Sequence, residues 1–187
     1  MPRPPRVQFP SGIFHLTGRG NRRQRIYLDD HDYVLFLQLL DRLAAGRGWI
    51  GYAYCLMPNH YHLVVQTPRP DLSAGMQWLN GRYAQMFNIR HAFDGHLFQG
   101  RFHSVVVESD WHLLELARYL PRNPIRAGLC RLPGSWPWSS YLQVAGVESP
   151  RRFLDTGQAL APFGKTRPLA QKAYRRFVEG DAIGPQA

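Results

Sequence analysis

Between Met57 and Val65 the chain reads Met-Pro-Asn-His-Tyr-His-Leu-Val-Val, and no other stretch constrains the fold as tightly. Strand side chains alternate with a period of two. As a strand, this segment projects His60 and His62 from one face, about 7 Å apart, and Tyr61, Leu63 and Val65 from the other. One face is suited to chemistry and the other to covering a core. Two adjacent imidazoles can hold one metal ion, although a His-X-His pair taken alone is more often structural.

The flanking segments supply the rest of a sheet. Trp49 to Leu56 reads as a strand, and Met57-Pro58-Asn59 as a tight turn, so the two strands form an antiparallel hairpin. Upstream, Gly12 to Gly18 is a short β-branched and aromatic run between glycines, with Ile13, His15 and Thr17 on one face. Downstream, Arg101 to Val107 has the composition of a fourth strand.

Helical spacing separates these strands. Tyr33, Phe36, Leu37, Leu40 and Leu43 mark a helix from Asp30 to about Ala45, capped by Asp29 or Asp30 and stopped by Gly46 and Gly48. Met76, Leu79, Tyr83, Met86 and Phe87 mark a second over Leu72 to His91. Leu113, Leu114, Leu116, Ala117 and Leu120 mark a third, capped by Ser109 or Asp110, with Pro121 and Pro124 near its end.

The order strand, helix, strand, strand, helix, strand is that of an α+β, ferredoxin-like split βαβ fold. Its four-stranded antiparallel sheet carries two helices on one face. The third helix is expected on the free face, across from the histidines. The aromatic turn Trp136-Pro137-Trp138-Ser139-Ser140-Tyr141 is expected to pack on a domain spanning residues 1–145. Residues 146–187 form a basic extension with a short helical pattern at Leu169 to Val178.

Lys and Arg number 23 against 13 Asp and Glu, a net charge of +10, and nearly all the cations are arginine. Arginine's planar fork matches phosphate oxygens and stacks on bases, which points to a nucleic-acid partner. The basic arm over residues 1–10 holds Arg3 and Arg6. The polar loop after the first strand holds Arg19, Arg22, Arg23 and Arg25. These six arginines are the candidate DNA contacts, with Phe98 or Trp111 for stacking unpaired bases. Cys55 and Cys130 show neither disulfide nor zinc spacing, and no run nears the ~20 apolar residues of a membrane span. The N-terminus lacks the apolar stretch of a signal peptide, so a cytoplasmic protein is expected.

Several motifs in order resemble one family. Met57 to Val65, then Gly95-His96-Leu97-Phe98-Gln99-Gly100-Arg101-Phe102, then Arg118-Tyr119-Leu120-Pro121-Arg122-Asn123-Pro124-Ile125-Arg126-Ala127-Gly128-Leu129, resemble the HUH single-tyrosine transposases. The closest subgroup is the REP-associated tyrosine transposases. Phe14-His15-Leu16-Thr17-Gly18-Arg19-Gly20-Asn21 and Trp138-Ser139-Ser140-Tyr141 share the likeness, which covers roughly residues 1–145.

The resemblance implies a nickase and strand transferase for single-stranded DNA beside REP-like hairpins. A tyrosine attacks the phosphodiester, giving a 5′-phosphotyrosine and a free 3′-hydroxyl; a second 3′-hydroxyl can reverse the step without ATP. By motif, Tyr119 is the nucleophile, and His60 and His62 hold a divalent ion, with Asn123 completing the site or marking a helix end. The family's ion is Mg²⁺ or Mn²⁺, while imidazole ligands by themselves favour Mn²⁺ or Zn²⁺. A tyrosine phenol titrates near pH 10, so at neutral pH it needs help as a nucleophile.

Pro121 departs from the family pattern. It removes a helical hydrogen bond and is able to kink the turn between Tyr119 and Asn123. His15 is open between metal ligand, partner to a ligand, and sheet-surface residue. His96 and His103 receive no metal role, and Tyr83 is the second candidate nucleophile but reads as core.

Two rival functions remain at this level. One is a catalytically silent hairpin-binding protein or repressor on the same fold; the other is a metallohydrolase using His60, His62 and water. The protein is expected to act as a monomer or homodimer.

Overall fold

The structure, a computed structural model, describes residues 7–180. Four strands, β1 (Gly12–Arg19), β2 (Ile50–Met57), β3 (His60–Thr67) and β4 (His103–Val106), form one antiparallel sheet in the order β2-β3-β1-β4. Helices α1 (Asp30–Arg47) and α2 (Leu72–His91) connect them in the expected ferredoxin-like order. Helix α3 (Asp110–Arg126) follows β4. Among the described residues no helix is long and apolar enough to cross a membrane.

The alternation within β1 and β3 assigns the two faces. Phe14 and Leu16 of β1, and Tyr61, Leu63 and Val65 of β3, are buried with Phe36 and Leu40 of α1 and Met76, Leu79 and Tyr83 of α2 in the main core. The opposite face, with Val64, Ala53, Cys55 and Met57, is covered by Leu116 and Leu120 of α3. A bulge between Gly51 and Ala53 resets β2, after which Tyr54 and Leu56 face the main core. Because both sides of β2 are covered, its residues from Gly51 to Met57 are buried continuously.

Local signals set the helix boundaries. Asp29 caps α1 by accepting from Asp32 N (3.2 Å), and Ser109 caps α3 by accepting from His112 N (3.2 Å); each cap contributes about 1 kcal/mol. Gly48 ends α1 in the left-handed conformation, at φ 71°. Asp32 itself is fully buried, accepting from Leu28 N (2.8 Å) and pairing with Arg90 (2.7 Å) and His91 (3.0 Å). That network ties the start of α1 to the end of α2.

Helix α3 runs unbroken through Pro121 and Pro124, both buried. Pro121 therefore does not end or break the helix that carries Tyr119 and Asn123. Its missing N–H costs the helix one hydrogen bond, and burial of its ring against the domain offsets that loss.

The segment after α3 completes the fold. Trp136 Nε1 donates to Leu56 O (3.0 Å), Leu56 N to Trp138 O (2.8 Å) and Ser140 N to Tyr54 O (3.0 Å). Trp138 stacks on Tyr33, with centroids 4.4 Å apart. Beyond it, α4 (Tyr141–Val144), α5 (Thr156–Leu160) and α6 (Arg167–Glu179) share an apolar cluster of Tyr141, Val144, Leu154, Leu160, Ala170, Tyr174 and Val178. This cluster runs across the 145/146 position, and α6 packs against α3.

Candidate active site

Pairing in the sheet brings the histidines together. His15 lies opposite Val64, and Thr17 opposite His62, so His15 and His62 are diagonal neighbours on the α3 face. His15 Nε2 and His62 Nδ1 share a hydrogen bond of 3.0 Å, with the rings stacked 5.2 Å apart. His60 and His62 meet edge to face at 5.0 Å.

Asn59 fixes the tautomer of His60. Its Nδ2 donates to Arg23 O (3.0 Å), so its Oδ1 is the atom 2.7 Å from His60 Nδ1. A carbonyl oxygen only accepts; His60 Nδ1 must carry the proton, and Nε2 keeps its lone pair. With the proton on His62 Nδ1, shared with His15, the second imidazole also presents a bare Nε2. Burial is the main force on all three rings. It pulls His15 down to about 4 (with His112 and His103 adding), His60 to about 4 (with Arg19 adding) and His62 to about 3 (with His15, His60 and Arg19 adding). All three are neutral at pH 7, the form able to ligate.

The two imidazoles line a cleft of about 460 Å³ together with Thr17, Arg19, Gln99, Arg101 and His103. Gly18 at its floor faces the Tyr61 ring, which a Cβ would approach to 2.4 Å. At Gly20 a Cβ would meet Gln24 O at 2.2 Å, so the arginine loop can close only over glycine. Arg22 and Arg23 both take the left-handed conformation (φ 51° and 60°). Backbone bonds Arg23 N to Gly20 O (3.0 Å) and Gln24 N to Asn21 O (2.9 Å) hold that turn, leaving both side chains exposed.

Helix α3 brings Tyr119 to the imidazoles. Its ring meets His62 edge to face at 5.7 Å and is 37% exposed, while the Arg126 guanidinium lies 5.6 Å over the ring. Asn123, one turn on and on the same helical face, is buried, and its amide Nδ2 has no hydrogen-bond partner among the described residues. Among the described residues no three His, Cys, Asp or Glu side chains form a metal-binding group. His60 and His62 are imidazole donors of the kind that divalent ions take, and the buried Asn123 amide, one turn beyond Tyr119, carries an orphaned polar atom on the helix that covers their face of the sheet.

The other sequence candidates separate clearly. Arg19 lines the cleft; Arg22, Arg23 and Arg25 are exposed on the adjoining loop; Arg3 and Arg6 lie outside the described residues. Tyr83 is fully buried, donating to Ile26 O, with its phenol pushed far up by burial. Phe98 packs against the core beside Tyr61 and Tyr83, whereas Trp111 is 67% exposed. His103 joins the cleft, and His96 is exposed outside its lining. Asn59 carries no sequence signal of its orienting role beyond its place before His60.

The family model described as "Transposase IS200 like" matches residues 9–123. A curated protein of Haemophilus influenzae described as a REP-associated tyrosine transposase is 24% identical over 100 residues. These cover 48% of this chain and 57% of that protein, so the match spans little more than half the relative's length. A solved structure, described as the REP-associated tyrosine transposase bound to a REP hairpin, superposes with a TM-score of 0.66 at 19% identity. It covers 78% of this chain and 86% of its own. That likeness is one of fold.

Proposed function

This chain belongs to the IS200-like transposase family, and we propose that it cleaves and rejoins single-stranded DNA beside REP-like hairpins through a 5′-phosphotyrosine. The observation that carries the reading is the 5.7 Å contact between Tyr119 and His62, which sets an accessible phenol against a pair of neutral imidazoles. The hairpin as partner is supported by the solved relative's DNA and by the exposed arginine loop.

In this reading His60 Nε2, His62 Nε2 and the Asn123 amide oxygen would hold a divalent ion, Mg²⁺ or Mn²⁺. When bound, the ion neutralises charge on the phosphate and polarises it toward attack. Tyr119 Oη forms a bond to phosphorus as the bond to the 3′-oxygen breaks. The phenol gives up one proton, and the leaving 3′-oxygen gains one. Arg126 over the ring favours the developing phenolate. Arg19 and Arg101 in the cleft, with Arg22, Arg23 and Arg25 on the loop, bind phosphates and hold the strand in line. His15 and Asn59 keep the imidazoles oriented. A cytoplasmic protein working as a monomer or homodimer accords with this role.

The test is incubation of a labelled hairpin oligonucleotide with Mn²⁺, followed by denaturing electrophoresis. A denaturation-resistant protein–DNA adduct that disappears in Tyr119→Phe is expected. Tight binding without an adduct would mark a silent hairpin-binding protein. Cleavage surviving in Tyr119→Phe would mark a metallohydrolase.

A further inference from the structure

Thr17 of β1 pairs with His62 of β3 on one side and with His103 of β4 on the other, so the three residues form one row across the sheet. Directly paired residues project from one face. Val106 fixes which one: it packs against the main core, so His103, an odd number of residues away, turns to the opposite face, where it lines the histidine cleft. Helix α3 covers that face where Leu116 and Leu120 meet Ala53, Cys55, Met57 and Val64 of β2 and β3, and it leaves His103 exposed. Tyr119 therefore meets His62 from α3, while His103 stands beyond β1, two strand spacings or about 10 Å from His62. In-line displacement at phosphorus places the attacking and leaving oxygens on opposite sides. A phosphate held at His60 and His62 and attacked by Tyr119 thus expels its 3′-oxygen toward β4. Among the other side chains of the cleft, Thr17 and Gln99 do not ionise, and Arg19 and Arg101 keep their protons. Only the imidazole of His103 is of a type that exchanges a proton near neutral pH.

We propose that His103 is the general acid for the leaving 3′-oxygen in cleavage and the general base for the incoming 3′-hydroxyl in rejoining. The inference rests on the transposase reading for the reaction itself. In cleavage the bond from Tyr119 Oη to phosphorus forms and the bond from phosphorus to the 3′-oxygen breaks. The freed electron pair takes a proton from the His103 imidazolium, and the phenol proton passes to solvent. In rejoining, the now neutral ring takes the proton of the attacking 3′-hydroxyl as the phosphotyrosine bond breaks, and the Tyr119 oxygen regains a proton from solvent. Both half-reactions bring the 3′-oxygen to the same wall, so one residue serves them both and ends as it began.

A hairpin oligonucleotide whose scissile 3′-oxygen is replaced by sulfur separates proton donation from other roles, because a thiolate leaves without needing a proton. With the full chain and Mn²⁺, His103→Gln should slow adduct formation about 100- to 10,000-fold on the oxygen substrate and less than about threefold on the sulfur substrate. Its hairpin affinity in EDTA, read by fluorescence anisotropy, should stay within about twofold of wild type, since a proton given in the transition state adds nothing to ground-state binding. Equal slowing on both substrates, a fall in affinity that matches the fall in rate, or no slowing on the oxygen substrate overturns the inference and leaves the transposase reading in place. A wild type that forms an adduct with neither substrate overturns that reading, and this inference with it.

Discussion

His15 and His62 stand on paired strands and share a hydrogen bond of 3.0 Å between Nε2 and Nδ1. The bond makes His15 a partner of the proposed metal ligand, whose ring meets Tyr119 edge to face at 5.7 Å. His15→Ala should weaken Mn²⁺ binding, read by calorimetry, by 10- to 100-fold while leaving the fold intact. An unchanged affinity would return His15 to the sheet surface.

The proposed mechanism assigns chemistry and DNA grip to different residues. His60→Ala should abolish adduct formation yet leave hairpin affinity within about twofold, because the exposed arginines lie on the adjoining loop. Loss of both together, measured on one preparation, would contradict that division.

The glycines make opposite predictions. A methyl at Gly18 would sit 2.4 Å from the Tyr61 ring, so Gly18→Ala should destabilise by about 1–3 kcal/mol in chemical denaturation. At Gly81, in the middle of α2, nothing lies within 4 Å of the added Cβ. Gly81→Ala should stabilise by about 0.5–1 kcal/mol.

Stability of the metal-free protein should fall as pH drops below about 6.5. His15 and His60, pulled down to about 4, and His62, to about 3, are neutral when folded but take up protons once unfolded. The unfolded state therefore binds more protons between about pH 4 and 6.5. Acid favours unfolding there, with a limiting slope of about 4 kcal/mol per pH unit for three protons. Urea midpoints measured in EDTA from pH 7 to 4 check this, and His15→Gln should flatten the curve.

The period of two in His60 to Val65 was legible because polar His60 and His62 alternate with apolar Tyr61, Leu63 and Val65, and the helical spacing in α1 and α2 because each turns an apolar stripe to the main core. The position of α3 opposite the histidines followed from the free face of the sheet. What local pattern could not carry was long-range packing. Burial of Pro121 lets α3 continue where an isolated helix would bend, and Tyr141, Leu154 and Tyr174 meet only through the fold. The orientation of His60 depends on Asn59 being held by Arg23 O, a contact between segments 36 residues apart.

The segment Trp136 to Ser140 lies along β2 and occupies its outer hydrogen-bonding groups, as at Leu56 N and Tyr54 O. The region matched by the family model ends at residue 123, before this segment. A chain cut there would bare a sheet edge rich in apolar residues and stick to its own copies. The pairing that closes the β2 edge is thus written beyond the stretch that carries the family likeness.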